Sequence, residues 1–172
     1  MKTSISIKLF LPIFCILTLS PYVNSQDMKK PDPVKSATLD MLMGNWVAEP
    51  YEMMGSKWNE QANHYMKFGQ YMFVDITAKN DKGETYNGTV IIKPGMDGNF
   101  TGWAFDDWGM VTTYTGTAKD NHLSVNGKSD WGTENREITI NGNTMEHKMT
   151  WTMKDKDGKD MTNSMTINYK KQ

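Results

Sequence analysis

The segment Met145–Met153 brings together the side chains of this sequence that are best suited to bind another molecule. Met145, His147, Met149 and Trp151 occupy alternate positions in it. Successive side chains of a β-strand point to opposite faces, so a strand here would place all four on one face. Thioether and imidazole groups are ligands for soft monovalent ions such as Cu(I) or silver. The same side chains also suit an apolar pocket, because methionine adapts to irregular apolar molecules.

Three interpretations of this face are open from the sequence. In the first, the strand lines a pocket for a small hydrophobic molecule, and His147 or Tyr114 is the polar group that orients it. In the second, His147 binds a soft ion together with Met145 or Met149. Haem is a variant of this second interpretation, but no other histidine lies in a comparable predicted strand. In the third, the side chains only fill the interior of a structural module.

We prefer the first interpretation, in which tryptophan and methionine side chains form the walls of the pocket. It predicts a small hydrophobic ligand as the partner, with no cofactor and no assigned metal ligands. The candidate ligand-binding residues are Trp46, Trp103, Tyr114, Met145, His147, Met149 and Trp151.

Catalytic motifs are not recognisable in the sequence, and we therefore expect a binding protein rather than an enzyme. There is no Gly-x-Ser-x-Gly, no phosphate-binding loop and no His-Glu-x-x-His. Asp106 and Asp107 are adjacent, so on an extended strand they would point to opposite faces and could not form a facing acid and base pair.

The elements that must position these residues are predicted from turn signals, which recur at short intervals after Gly44. They separate segments rich in Thr, Val, Ile, Tyr and Trp, a pattern typical of consecutive antiparallel strands joined by hairpins. We expect about eight to ten strands at this spacing. The turn signals are Asn80–Gly83, Pro94–Gly98, Asp107–Gly109, Lys119–Asn121, Asn126-Gly127, Asn141–Asn143 and Asp155–Gly158.

Alternation of apolar and polar residues indicates that one face of this sheet is in water. It is clear in Glu137–Ile140 and in Thr166–Tyr169. A long antiparallel sheet with one solvent-exposed face must bury its other face, either by packing on a second sheet or by closing into a barrel. Closure also removes the exposed edge strands. The sequence therefore predicts an all-β fold, an antiparallel up-and-down barrel in preference to a sandwich. A short helix between Val34 and Met43 would precede it and end at Gly44.

Several segments resemble known families. Leu42–Trp46 has the form Leu-x-Gly-x-Trp, which resembles the opening of the calycins, the lipocalin-like barrels, where such a Trp packs at the closed end. Residues 39–171 resemble a bacterial family catalogued as a domain of unknown function, number fifteen-seventy-nine. The segments that carry this second resemblance are Asn87–Ile92, Gly98–Asp106, Tyr114–Thr117 and Met165–Lys171.

The resemblance implies a calycin-like barrel and brings no established activity. That bacterial family often has a seventh strand rich in aromatic residues and arginine. Here Arg136 is the only arginine of the chain, which argues against an arginine-dependent anion site.

The N-terminus predicts export. Lys2 and Lys8 precede an apolar block, Leu9–Leu19. Ser20 and the helix-breaking Pro21 follow it, and the segment ends with Val23-Asn24-Ser25, which is the order of a signal peptide. The block is too short to span a bilayer as a helix. We therefore predict a signal peptide over 1–25, cleaved near Ser25, a polar tether over 26–38 and the barrel over 39–172. The protein would be periplasmic or secreted.

Composition narrows the partners of the predicted mature chain. It has 147 residues, no cysteine, 14 methionines and 17 basic against 20 acidic side chains. A near-neutral surface with interspersed charges argues against a nucleic-acid partner, and no transmembrane segment is predicted after the signal. Without disulfides, the domain must be stabilised by its core and its backbone hydrogen bonds. The sequence gives no signal for the oligomeric state.

Overall fold

The computed structural model describes residues 29–172, so the predicted signal peptide lies outside the described residues. Residues Asp32–Gln172 form one unit. Its helix α1 spans Ala37–Leu42, and a 3₁₀ turn spans Met96–Gly98. Its strands are β1 Gly44–Ala48, β2 Tyr51–Met53, β3 Ser56–Lys67, β4 Tyr71–Asn80, β5 Thr85–Pro94, β6 Asn99–Asp106, β7 Val111–Lys119, β8 His122–Ser129, β9 Gly132–Asn141, β10 Thr144–Lys154 and β11 Asp160–Lys171.

Ten of these strands close into an antiparallel barrel. Consecutive strands from β3 to β11 pair in order, and β1 closes the ring by pairing with both β3 and β11. The predicted closed barrel of about eight to ten strands is confirmed, and the sandwich alternative is wrong. β2 lies outside this ring and pairs with β3.

The strands on either side of the closure point of the barrel are hydrogen-bonded at one end of the barrel only. β1 pairs with β11 only from Trp46 to Ala48, near the end where both helix α1 and the C-terminus lie. Among the described residues, no pairing joins β2 to β11. The wall therefore has a gap toward the opposite end, and the inward-facing Met161 of β11 is 44% exposed there.

The alternation of side chains follows the predicted faces on the last three strands. Ile140, Met145, Ile167 and Tyr169 are buried inside the barrel, whereas Lys148 and Thr166 on the same strands are exposed. Inward and outward positions are thus set by the period of two.

Two predictions made from local sequence are corrected by the strand registers. Trp103 does not form a wall of the interior: on β6 the inward positions are Phe100, Gly102 and Ala104, so Trp103 faces outward and is 38% exposed. Asn126-Gly127, which predicts a turn, lies inside β8 and pairs with β7 and β9.

Helix α1 covers one end of the barrel, which we call the closed end. Ser36 caps it by accepting a hydrogen bond from the Leu39 N–H, and Leu39 and Leu42 are buried against the barrel. The helix is shorter than the predicted span of 34–43. The fully buried Trp46 donates its indole N–H to the Leu42 carbonyl at 2.7 Å. This bond satisfies a helix-terminal carbonyl that burial would otherwise leave unpaired.

The two tryptophans allow a matched test of this arrangement. We expect Trp46→Phe to lower the free energy of unfolding by about 2 kcal/mol or more, because it removes the buried donor and leaves a void. Trp103→Phe should change it by less than about 0.5 kcal/mol, since the side chain is on the outer surface. Urea denaturation followed by circular dichroism measures both. Equal losses would show that the closed end does not depend on Trp46.

Candidate ligand-binding cavity

The barrel encloses a cavity of about 390 Å³ that opens at the end opposite α1. Its volume lies within the range of small-molecule sites, so the inward side chains do not fill the barrel. Five of the seven sequence-predicted site residues line it, namely Tyr114, Met145, His147, Met149 and Trp151. Trp46 lies below the cavity at the closed end, and Trp103 is outside the barrel.

Most of the cavity wall is apolar. It is built from residues of every strand from β2 to β11, together with Leu42 of α1 at the bottom. Buried contributors from the first half of the barrel include Ala62, Met72, Val74, Ile92, Phe100 and Leu123. The methionines of β10 and β11 face these residues across the cavity, where flexible thioethers can adapt to a guest.

Two histidines of the cavity wall each carry a buried ring nitrogen without a hydrogen bond among the described residues. His147 stacks on Tyr169 with ring centroids 6.3 Å apart, and its buried Nε2 has no partner among the described residues. His64 of β3 is 8% exposed, and its Nδ1 also has no partner there. The prediction that no second histidine lies in a comparable strand is therefore wrong.

Both imidazoles are neutral at pH 7. Burial, followed by the Arg136 cation and by His64, lowers the pKa of His147 to about 3. Burial, followed by Lys171, lowers the pKa of His64 to about 4. Each neutral ring offers one nitrogen as a donor and the other as an acceptor. Among residues 29–172, no group of three or more His, Cys, Asp or Glu side chains is arranged to hold a metal ion.

A buried carboxylate on β3 forms the first polar cluster of the wall. Glu60 is 8% exposed and accepts a 2.6 Å hydrogen bond from the Tyr51 hydroxyl and another from the Tyr169 hydroxyl. Burial and the neighbouring Glu60 raise the pKa of both tyrosines well above the usual value. No ion pair reaches Glu60 from the described part of the chain.

A second polar cluster joins β7 and β9. Arg136 Nη2 donates to both carboxylate oxygens of Glu134, at 3.0 and 2.9 Å, and to the Tyr114 hydroxyl at 3.2 Å. Burial lowers the pKa of Arg136, but Tyr114 and Glu134 raise it by more. Gly127 makes room for this cluster, because a Cβ there would lie 2.6 Å from both Glu134 and Tyr114. That packing explains a glycine inside a strand.

Tyr86 lies among the charges of both clusters. Burial and the carboxylates of Asp106, Glu60 and Glu134 raise its pKa to about 12, against the opposing effect of Arg136. Its ring packs edge-on against Trp108, with centroids 5.5 Å apart.

Exposed apolar side chains surround the opening of the cavity. Met54, Trp108 and Trp131 lie in three turns at this end, and they are 71%, 50% and 65% exposed. All three also line the cavity. A molecule that leaves water for the cavity would therefore meet apolar surface before it reaches the interior. Among residues 29–172, no helix is both long enough and apolar enough to cross a membrane.

Comparison with known proteins shows the fold. No protein-family model matches the chain, and no curated protein is significantly similar to it. The crystal structure of Rv2717c from M. tuberculosis is similar with a TM-score of 0.61 and 11% identity, over 81% of this chain and 99% of that one. The structure of EF1p2_mFAP2b bound to DFHBI gives a TM-score of 0.46 and 14% identity, over 78% and 97%. A likeness at that lower TM-score says nothing about what this chain binds.

The two histidines predict a loss of stability in acid. Above about pH 6.5, the usual pKa of histidine, both side chains are neutral in the folded and in the unfolded chain, so the free energy of unfolding has its full value. As the pH falls, the unfolded chain takes up protons that the folded barrel binds only near pH 4 at His64 and near pH 3 at His147. The free energy of unfolding should therefore fall by about 1.4 kcal/mol per pH unit for each histidine in this window.

Urea titrations between pH 7 and pH 4 measure this slope. His64→Phe and His147→Phe should each lower the slope by the contribution of one histidine, about 1.4 kcal/mol per pH unit. The double variant should lower it by both contributions. Comparison with the unsubstituted protein cancels the contribution of the carboxylates. A double variant with an unchanged slope would show that neither histidine is buried in its neutral form.

Proposed function

We propose that this protein binds a small hydrophobic or amphipathic molecule inside its barrel. The observation that carries the proposal is the open cavity of about 390 Å³. Apolar side chains form most of its wall, and a few inward polar groups are positioned to orient a guest. Concave apolar sites with a small number of placed polar groups are the usual form of small-molecule sites.

The unpaired imidazole nitrogens support occupancy by a ligand. Leaving a buried polar atom without a partner costs about 1–3 kcal/mol, and two residues of the cavity wall, His64 and His147, each carry one such atom with no partner among the described residues. A guest that hydrogen-bonds to them would remove this cost, and its apolar part would cover the methionine wall.

The arrangement of the two acidic residues near the opening favours a binding protein over an enzyme that uses them as an acid and base pair. Asp106 uses Oδ1 to accept hydrogen bonds from the N–H groups of Trp108 and Met110, and so shapes the β6–β7 turn. Asp107 accepts a hydrogen bond from the Asn87 side chain on the surface. These two carboxylates therefore do not face each other as an acid and base pair.

We also propose that the protein is exported, by cleavage near Ser25, and that it belongs with the calycin-like domains of unknown function numbered fifteen-seventy-nine. The support for export is the order of charged, apolar and small residues in the first 25 positions. Intact-mass measurement of protein from its own host tests it. A chain that retains Met1 and remains in the cytoplasm would contradict export.

Binding of a soft ion is a second candidate function. The unpartnered Nε2 of His147 and the cavity positions of Met145 and Met149 favour it. Native mass spectrometry of the protein purified from its own host distinguishes the two candidates. A retained organic mass supports the first, and a Cu or Ag adduct that Met149→Leu abolishes supports the second.

A charge placed in the cavity tests the first candidate. We expect Met149→Lys to weaken uptake of the neutral fluorescent probe N-phenylnaphthylamine by at least about tenfold, because the longer side chain occupies part of the cavity and places a charge against an apolar guest. The matched control is Ser164→Lys, which adds the same charge at an exposed position of β11 and should bind the probe normally. Circular dichroism checks that both variants are folded. Equal affinities would contradict binding inside the barrel.

A further inference from the structure

We propose that the ligand carries a positive charge, and that Glu60 together with the aromatic rings near it binds the cationic group. This inference rests on the proposed function, since it names the chemistry of the molecule that the cavity takes. The ligand class is an amphipathic amine or quaternary ammonium compound, with its apolar part toward the closed end.

The first argument is the charge balance of the cavity wall. Three carboxylates line the cavity, on Glu60, Asp106 and Glu134, against the single guanidinium of Arg136. Arg136 is already paired with both oxygens of Glu134. Glu60 and Asp106 therefore have no ion-pair partner among the described residues.

The pairing of Arg136 also argues against an anionic ligand. The charge of the guanidinium is already balanced by Glu134, whose two carboxylate oxygens lie 3.0 and 2.9 Å from Arg136 Nη2, so a carboxylate or phosphate in the cavity would have to share this single cation with Glu134. It would also lie in the same cavity as Glu60, where like charges in a poorly solvated space repel.

The geometry of Glu60 leaves room for a cation. Each of its oxygens accepts one hydrogen bond from a tyrosine, Tyr51 on one side and Tyr169 on the other. A carboxylate has about four acceptor positions, so one position on each oxygen remains for a ligand. Buried charges in proteins are normally paired, and Glu60 has no cationic partner in the part of the chain that the structure describes.

The aromatic rings provide a second attraction for the same group. Tyr51, Tyr86 and Trp108 line the cavity with Glu60, and the faces of such rings attract cations. Burial is the main cause of the raised pKa of Tyr86, and the three carboxylates around it add to the shift against one guanidinium.

An independent feature shows that the cavity is built for a guest. His64 lies on the same face of β3 as Glu60, four residues further toward the closed end. It is 8% exposed and lines the cavity, and its buried Nδ1 has no partner among the described residues. The spacing along the strand is about 13 Å. A ligand with its ammonium group at Glu60 thus extends toward a neutral, mainly apolar region that holds a second hydrogen-bonding group.

The experiment compares three probes that share one alkyl chain and differ in charge: decylammonium, decanol and decanoate. Competition with N-phenylnaphthylamine on the unmodified protein at pH 7 gives their affinities. We expect decylammonium to bind most tightly and decanoate least tightly. Glu60→Gln keeps the size of the side chain and removes its charge. It should weaken decylammonium about thirtyfold or more and leave decanol nearly unchanged.

The matched control is Glu52→Gln, which removes the same charge from an exposed position on β2 and should not alter the order of the probes. Retained decanol binding shows that the Glu60→Gln barrel is intact. If decanol binds but decylammonium has no advantage, or keeps it in Glu60→Gln, the charge inference is overturned and the proposed function stands. If none of the three probes displaces the fluorescent probe, and that probe itself does not bind, the proposed function fails as well.

Discussion

The width of the barrel is the constraint on which the rest of the structure depends. An eight-strand barrel is just wide enough for its own side chains to fill, and this barrel has ten strands in its ring. Two further strands leave space along the axis even though methionine, tyrosine and tryptophan face inward. The closed end must therefore be covered separately. Helix α1 and the buried Trp46 do this, and they confine access to the opposite end.

A wide interior also admits polar side chains that a filled core would exclude. Such groups must satisfy each other, because little water reaches them. Glu60 is held by two tyrosine hydroxyls, and Arg136 by Glu134 and Tyr114. These contacts fix the position of each charged group against the wall. The three buried atoms that stay unpaired among the described residues are His64 Nδ1, Arg136 Nε and His147 Nε2.

The fold and the cavity face of β10 could be predicted from the sequence. Regular turn signals and the alternation around Ile138 and Ile167 indicate antiparallel strands with one inner face. The faces of Met145–Met153 are assigned correctly because Glu146, Lys148 and two threonines mark the outer face. Trp103 is assigned wrongly because β6 has aromatic residues on both faces, Phe100 on the inner face and Trp103 on the outer face. The alternation of apolar and polar residues therefore does not show which face of β6 points inward.

Glu60 and His64 were missed because β3 carries polar residues at inward positions, where a hydrophobic pattern cannot find them. Arg136 could have been found, since it is in phase with the inward Ile138 and Ile140. In the structure it lines the cavity and bonds through Nη2 to Glu134 and Tyr114. The inward groups that the hydrophobic pattern does not reveal, Glu60 and His64, are thus polar groups whose burial is unfavourable unless they have a partner. The Glu60 carboxylate has no ion-pair partner among the described residues, and its burial, like that of the neutral histidines, opposes folding. A guest that pairs with these groups would therefore stabilise the barrel as it binds.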